Sequence, residues 1–327
     1  MQSRNKPLPK EESAKLDLKD RKLLLALFED GRASTTALGK KVGISQELAT
    51  YRIQKLKERK ILQNIIPIIN YSVLGYSSYR LQIKLNPLSK EERDKLMEEF
   101  KQLPNISWLV ELSGGWDLVL IFLVKSNQEF NEAYDSFNKK YGNYISDRLF
   151  TIVTEITHLP PTYILKAERE PLVTVLEAHK TDLDDTQRKI IISLFENGRK
   201  PLLEISRELG VSVTTIKYHL DKLLRDKVIA GFKPVINLFA IGYEHFKITM
   251  ELENPADEKT ARELLMMNDN VVYITKSLGQ YDLEFECEYT TVNGLLEFIE
   301  LLKSRIKIKK HEIIFANKEL VINRVPK

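Results

Sequence analysis

Residues 16–32 read LDLKDRKLLLALFEDGR, and residues 183–199 read LDDTQRKIIISLFENGR. The second stretch repeats the first at an offset of 167 residues. The match continues without a gap through Gly43/Gly210, Ser45/Ser212, Tyr51/Tyr218, Lys55/Lys222, Lys60/Lys227, Pro67/Pro234 and Gly75/Gly242, and 20 of the 61 positions from 16 to 76 are identical. Farther on, Gly114-Gly115-Trp116-Asp117-Leu118 matches Gly279-Gln280-Tyr281-Asp282-Leu283 once the offset has slipped by two. The chain is two copies of one unit, and the period is too long for a solenoid.

Each unit opens on an amphipathic helix, with Leu23, Leu24, Leu27 and Phe28 in one copy and Ile190, Ile191, Leu194 and Phe195 in the other at helical spacing. Asp17 and Asp184 stand where an N-cap belongs, Gln187 completes a capping-box pattern, and Gly31 and Gly198 end the helix. Short helices follow over Thr35 to Val42 and Leu202 to Leu209, then the turns Gly43-Ile44-Ser45 and Gly210-Val211-Ser212. The serine caps a third helix running to about Arg59 and Asp226. Three helices with a glycine turn before the third form the helix-turn-helix pattern. Ile61 to Ile69 and Val228 to Ile236 read as paired short strands, a small wing. Beyond the wing each copy alternates strand, helix, glycine-turned hairpin, helix and strand, the β-α-β-β-α-β order of a ferredoxin-like domain.

The expected fold is therefore α+β, with two winged helix-turn-helix domains alternating with two ferredoxin-like domains. The boundaries read as a flexible arm over 1–15, helix-turn-helix over 16–76, ferredoxin-like domain over 77–157, a proline-bearing linker over 158–181, and the second pair over 182–243 and 244–327. At 327 residues, 43% apolar and 29% charged, the composition is that of a globular protein with sizeable cores. Cys287 is the single cysteine, which excludes an intrachain disulfide or cysteine zinc cluster and suits a reducing cytoplasm. No apolar run approaches the ~20 residues needed to span a bilayer, and Met1 to Lys15 reads as a polar arm, not a signal peptide.

In the third helices, Ala49, Ile53 and Leu56, and Ile216, Leu220 and Leu223, share one inward face. The outward faces make double-stranded DNA the expected partner. The candidate contacts are Ser45, Gln46, Glu47, Thr50, Tyr51, Arg52 and Lys55 in the first copy, and Ser212, Thr214, Thr215, Lys217, Tyr218, His219 and Lys222 in the second. Of these, Gln46, Thr50, Tyr51, Thr214, Lys217 and Tyr218 are the base-reading candidates, and Lys55 and Lys222 the phosphate contacts. The net charge of +4 is a weak pointer in the same direction.

The same stretches, together with VGISQELATYRIQKLKERKIL (42–62), LGVSVTTIKYHLDKLLRDKVI (209–229), IIPIINYSVLGY (65–76) and FKPVINLFAIGY (232–243), resemble the Lrp/AsnC family of bacterial and archaeal transcription regulators. The resemblance covers nearly the whole chain, twice. That family has glycine where Lys60 and Lys227 stand. The resemblance implies pairing through the α+β domains and an amino-acid effector near the hairpin turns, which makes Gly114, Asp117, Gly279 and Asp282 effector candidates. One chain holding two units is then a pseudo-dimeric monomer or a homodimer.

A paired Lrp-like architecture also resembles siroheme decarboxylases, which makes a tetrapyrrole enzyme the rival reading. The strands Ser77-Ser78-Tyr79-Arg80 and Glu244-His245-Phe246-Lys247 lack the histidine- and arginine-rich cluster of those enzymes, and the five histidines show no metal-ligand spacing. No phosphate-binding glycine loop or nucleophile elbow occurs, so neither catalytic residues nor cofactor nor metal is expected. A third reading is an assembly module that no longer touches DNA, since Glu47 and Asp221 sit on the outward faces. Glutamate can also accept a hydrogen bond from cytosine. Finally, alternating apolar strand residues predict that the two α+β sheets pack face to face. Glu284, Glu286 and Glu288 are expected to leave part of the second sheet exposed and acidic, favouring a small assembly.

Overall fold

Short polar side chains start most of the helices in the computed structural model, which describes residues 14–175 and 181–321. Residues 1–13 of the expected arm, 176–180 of the expected linker and 322–327 lie outside the described residues. Asp17 accepts the Asp20 amide to open α1 (Leu18–Glu29), Ser34 opens α2 (Thr35–Val42), and Ser45 accepts the Leu48 amide to open α3 (Gln46–Glu58). Strand β1 (Leu62–Ile69) completes the first head. There follow β2 (Ser77–Leu85), α4 (Lys90–Lys101), β3 (Ile106–Ser113), β4 (Leu118–Val124), α5 (Asn127–Tyr141) and β5 (Ile145–His158). A short strand within the expected linker, β6 (Leu172–Val175), lies along β5. The second copy runs α6 (Asp185–Glu196), α7 (Leu202–Leu209), α8 (Val213–Arg225) and β7 (Ile229–Ile236). It ends with β8 (Glu244–Leu252), α9 (Glu258–Met267), β9 (Val271–Leu278), β10 (Leu283–Tyr289), α10 (Val292–Lys303) and β11 (Ile308–Val321).

Each head contributes a single strand, and the two strands pair with each other. β1 and β7 run antiparallel with Leu62 opposite Ile236, Ile65 opposite Pro234, Ile66 opposite Lys233, Pro67 opposite Phe232 and Ile69 opposite Ile229. Every one of those pairs maps onto another under the sequence repeat, and Ile66 opposite Lys233 lies on the pseudo-twofold axis. The ribbon is thus the self-complementary interface of a twofold dimer, built inside one chain. Around it Leu23, Leu27, Ala49, Ile53 and Leu56 of the first head and Ile190, Leu194, Ile216, Leu220 and Leu223 of the second share one continuous apolar core. Each fully buried leucine or isoleucine there contributes roughly 1.5–3 kcal/mol.

The α+β domains also meet within the chain. β5 and β11 are 14 residues long, and each serves two partners. β5 pairs with β2 up to Val153 and then with β9 from Ile152 to His158, while β11 pairs with β8 up to Phe315 and then with β3. The two four-stranded sheets therefore join at both edges into one closed eight-stranded barrel, with β6 added on the outside of the count. Helices α4 and α5 cover one outer face over Leu81, Phe100, Leu120 and Phe137, and α9 and α10 cover the other over Ile248, Leu265, Phe285 and Phe298. The inner faces of the two sheets meet across the interior, where Arg80 of β2 reaches Glu284 of β10, and the sheets are joined at both edges as well, so they are not separate layers.

The acidic row of β10 corrects an expectation. Glu284 is fully buried and Glu286 and Glu288 are largely so, all three facing the barrel interior and not solvent. Strand alternation marks a face but does not say what covers it, and here the covering sheet is that of the first copy.

Candidate nucleic-acid interface

The third helices are fixed from below by apolar side chains and open above. Ala49, Ile53 and Leu56 are buried, while Ser45, Gln46, Glu47, Thr50, Tyr51 and Lys55 are exposed. In the second head Ile216, Leu220 and Leu223 are buried and Ser212, Thr214, Lys217 and Tyr218 exposed, with Thr215 and Lys222 half-buried. Tyr51 is 58% and Tyr218 60% exposed, large aromatic surfaces left uncovered at equivalent positions of both heads. Ser45 and Ser212 also serve as N-caps, so their hydroxyls sit at the helix N-terminus, where the backbone dipole favours an anion. Glu47 lies at that same end, and its own backbone amide together with the Ser45 hydroxyl holds its carboxyl below the usual range.

Several side chains on these faces already have partners. Thr36 donates to Gln46 Oε1 at 2.8 Å, the Thr50 hydroxyl bonds back to the Gln46 carbonyl at 2.9 Å, and Lys55 reaches Glu58 at 2.8 Å. Arg52 is turned inward: its Nη1 lies 2.7 Å from Asp17 and 2.8 Å from Asp20, bracing α3 against the start of α1. His219 stands at the equivalent position, with Nδ1 3.4 Å from Asp184. Both side chains are mostly covered, which separates them from the exposed row on either helix.

The two heads are also locked to each other by groups that spacing did not single out. Arg199 Nη1 donates to the Gly31 carbonyl at 2.8 Å. Its repeat equivalent Arg32 donates to the carbonyls of Gly198 and, at 3.3 Å, of Lys200. Gly198 is required there, because a Cβ would run into the Ile65 carbonyl. The sequence signal was present in the duplicated Gly-Arg, but nothing local says that each arginine serves the other copy.

The hairpin residues have structural work. Asp117 Oδ2 accepts the Leu85 amide and Asp282 Oδ2 the Leu252 amide, each at 2.7 Å. Gly114 and Gly279 have φ of 122° and 148°, and each turn lies against the last strand of the opposite domain, beside the Ile313 and Phe150 carbonyls. Tyr281 is buried and Trp116 packs with Val110, Leu112 and Ile314.

Inside the barrel, Glu284 meets Arg80 and, at 2.9 Å, Lys247, which are equivalent positions of the two copies. Ser277 donates to it at 2.7 Å. Burial alone would raise the Glu284 carboxyl, but the two cations outweigh it and hold it well below the usual range. His245 sits between Glu286 at 3.1 Å and Glu288 at 3.4 Å. Burial disfavours its charge, yet the two carboxylates prevail and push it up to about 10. Among the described residues no cluster of three or more His, Cys, Asp or Glu could hold a metal ion, and no helix is long and apolar enough to cross a membrane.

Comparison with known proteins adds the family. Residues 16–57 match the AsnC-type helix-turn-helix domain, 183–230 a winged helix-turn-helix DNA-binding domain, and 80–143 the Lrp/AsnC ligand binding domain. An uncharacterized HTH-type transcriptional regulator of Pyrococcus horikoshii is 30% identical over 128 residues, 39% of this chain and 81% of the relative. The chain belongs to the Lrp/AsnC family. Another such regulator, of Pyrococcus furiosus, is 30% identical over 146 residues, 44% of this chain and 95% of its own length. Less than half of this Lrp/AsnC chain thus spans nearly a whole relative, as two fused units require. Over its full length it is similar to the crystal structure of a siroheme decarboxylase, with a TM-score of 0.61, 18% identity and 94% of each chain covered. That likeness is one of fold.

Proposed function

We propose that this chain is a sequence-specific DNA-binding transcription regulator whose two covalently linked heads read two dissimilar half-sites. The observation that carries this reading is the pair of exposed third-helix faces, α3 and α8, set at a fixed spacing by the β1–β7 ribbon and the Arg32/Arg199 exchange. Helices presented in this way suit neighbouring major grooves, with their N-terminal parts on the bases. In this reading Gln46, Thr50 and Tyr51, and Thr214, Lys217 and Tyr218, face base edges, Lys55 and Lys222 hold phosphates, and Ser45, Glu47, Ser212 and Thr215 lie at the entering ends. Arg52 and His219 act as braces that set each helix on its head.

A gel-shift titration against the upstream region of the protein's own gene tests the reading. Affinity should fall by roughly a thousandfold between ~50 and ~200 mM salt, because several phosphate contacts release counterions. Binding that does not change with salt would overturn it. Because Lys217 and His219 replace Thr50 and Arg52, selection from a random library should recover two unlike half-sites. Lys217→Ala should cost roughly 1–3 kcal/mol and relax only one of them. A clean inverted repeat would contradict the two-headed monomer and require two chains each lending the same head.

The fold shared with a siroheme decarboxylase brings no activity with it. Arg80 and Lys247 are both committed to Glu284 and His245 to two carboxylates, which supports a structural role for this strand pair. Titration with an iron tetrapyrrole should leave the absorbance of the pigment unperturbed; a saturable shift of its main band would favour the enzyme.

A further inference from the structure

The outward ridges of α3 and α8 differ in charge where each helix begins. On α3 the ridge is formed by Glu47 and Thr50, and the repeat puts Thr214 and Lys217 at the same places on α8. In each helix the two residues are three apart, which makes them neighbours on one face, and all four are exposed. One head therefore leads with an acid beside a neutral side chain, and the other with a neutral side chain beside a cation. We propose, resting on the regulator reading, that Glu47 and Lys217 make the two half-sites differ, Glu47 selecting cytosine and Lys217 selecting guanine.

The partners of the neighbouring side chains leave each of these two groups in the lead. On α3, Arg52 is turned inward onto Asp17 and Asp20, and Lys55 is held by Glu58. Thr50 spends its hydroxyl on the Gln46 carbonyl, and Gln46 Oε1 takes the Thr36 hydroxyl. Glu47 is the acid of the first turn, and its carboxyl, held below the usual range by its own backbone amide and the Ser45 hydroxyl, enters ionised. An ionised carboxylate can only accept hydrogen bonds. The first turn of α8 carries no acid, and Asp221 stands one turn beyond Lys217, at the place of Gln54. The Lys217 ammonium can only donate.

Major-groove chemistry then separates the bases. Cytosine offers its N4 amino group with no acceptor beside it, whereas the amino group of adenine lies next to N7, which repels a carboxylate. Guanine sets O6 and N7 side by side for an ammonium, whereas thymine offers O4 beside a methyl group. A carboxylate among phosphates is repelled by every base that cannot donate to it, so Glu47 selects chiefly by rejecting the other bases. An acid in the first turn also stabilises the helix through the backbone dipole. That role alone leaves base preference untouched, which separates the two by experiment.

Selection of random duplex DNA with the full chain, repeated with Glu47→Gln and Lys217→Glu, tests the assignment. One half-site should carry cytosine and the other guanine at the contacted position. Glu47→Gln should turn that cytosine into adenine, which a glutamine amide pairs with through two hydrogen bonds, and leave the other half-site alone. Lys217→Glu should turn the guanine into cytosine, again in one half-site only. Replacing either base pair in the recovered operator should weaken binding of the unaltered protein by roughly tenfold to a hundredfold. An unchanged base after Glu47→Gln, with or without a lower melting temperature, leaves that glutamate to the helix end and overturns the proposal, as does a change in both half-sites at once. Enrichment of no sequence at all rejects the regulator itself, whereas an enriched sequence indifferent to both substitutions rejects only the roles of Glu47 and Lys217.

Discussion

On β4 the side chains facing away from the covering helices are Val119, Ile121 and Leu123; on β10, at equivalent positions, they are Glu284, Glu286 and Glu288. The cations opposite did not diverge in the same way, since Arg80 and Lys247 are both basic and both reach Glu284. A homodimer would have to give each copy its own acid. Covalent fusion removes that demand: one copy supplies the carboxylates for both and the other supplies an apolar wall, where Val110, Leu112 and Val119 pack with Trp108. The heads, which must still form a self-complementary ribbon, kept their shared core instead. The pair of halves is thus symmetric where the interface is isologous and asymmetric where a buried charge needs balancing.

The largest test of this comparison removes one cation. Arg80→Met leaves Glu284 buried with half its compensation and should destabilise the fold by about 3–5 kcal/mol in urea unfolding. Adding Glu284→Gln should recover part of that loss, as expected when the cost is an uncompensated charge. A loss under about 1 kcal/mol, or a double variant no better than the single, would show that the network is not what joins the sheets.

A smaller effect is the pH dependence carried by the acidic sheet alone. The Glu284 and Glu286 carboxyls are held below their ordinary value near 4.5, so in acid the unfolded chain binds protons the folded chain refuses. Their contribution is present above that value and is lost as pH falls through the lower folded values. His245 has the opposite sign. Raised from 6.5 to about 10, it contributes fully below 6.5 and loses that contribution as pH climbs toward 10. The contribution of these three groups should be flat between about 4.5 and 6.5 and fall on both sides, by at most about 1.4 kcal/mol per pH unit for each proton linked, on top of a loss below 6.5 from His158, which burial holds below its ordinary value. Glu286→Gln should flatten the alkaline limb, and Val119→Ala on the opposite sheet should not. Equal limbs in both variants would detach the histidine from this account.

The helices and strands of both copies were legible because their signals are local: capping residues, glycine stops and the change of apolar period. Partners were not. Nothing in Ile61 to Ile69 says that it pairs with Val228 to Ile236 of the other copy in a dyad register, or that β5 and β11 outrun their own domains to close a barrel. β6 escaped notice because Leu172–Val175 is short and preceded by Pro171 and charged residues. Arg52 illustrates the limit at the site, since helical spacing places it on the flank of α3 while the acids that claim it belong to α1.

The smallest expected effect concerns a feature the halves share. Lys60 and Lys227 have φ of 55° and 54°, the left-handed conformation that closes the third helices, at the positions where the family pattern carries glycine. A side chain there costs roughly 1–2 kcal/mol, of which glycine would return part after its greater unfolded-chain entropy is subtracted. Lys60→Gly and Lys227→Gly should therefore each stabilise the protein by about 0.5–1 kcal/mol, and by similar amounts, because the strain is the same in both heads. Both lysines are exposed at the end of a third helix, next to the face assigned to DNA. If they are retained to meet phosphates, the double variant should melt later yet bind DNA more weakly, with a salt slope shallower by roughly two. A double variant that is more stable and binds with an unchanged slope would show that the two cations serve only the helix ends.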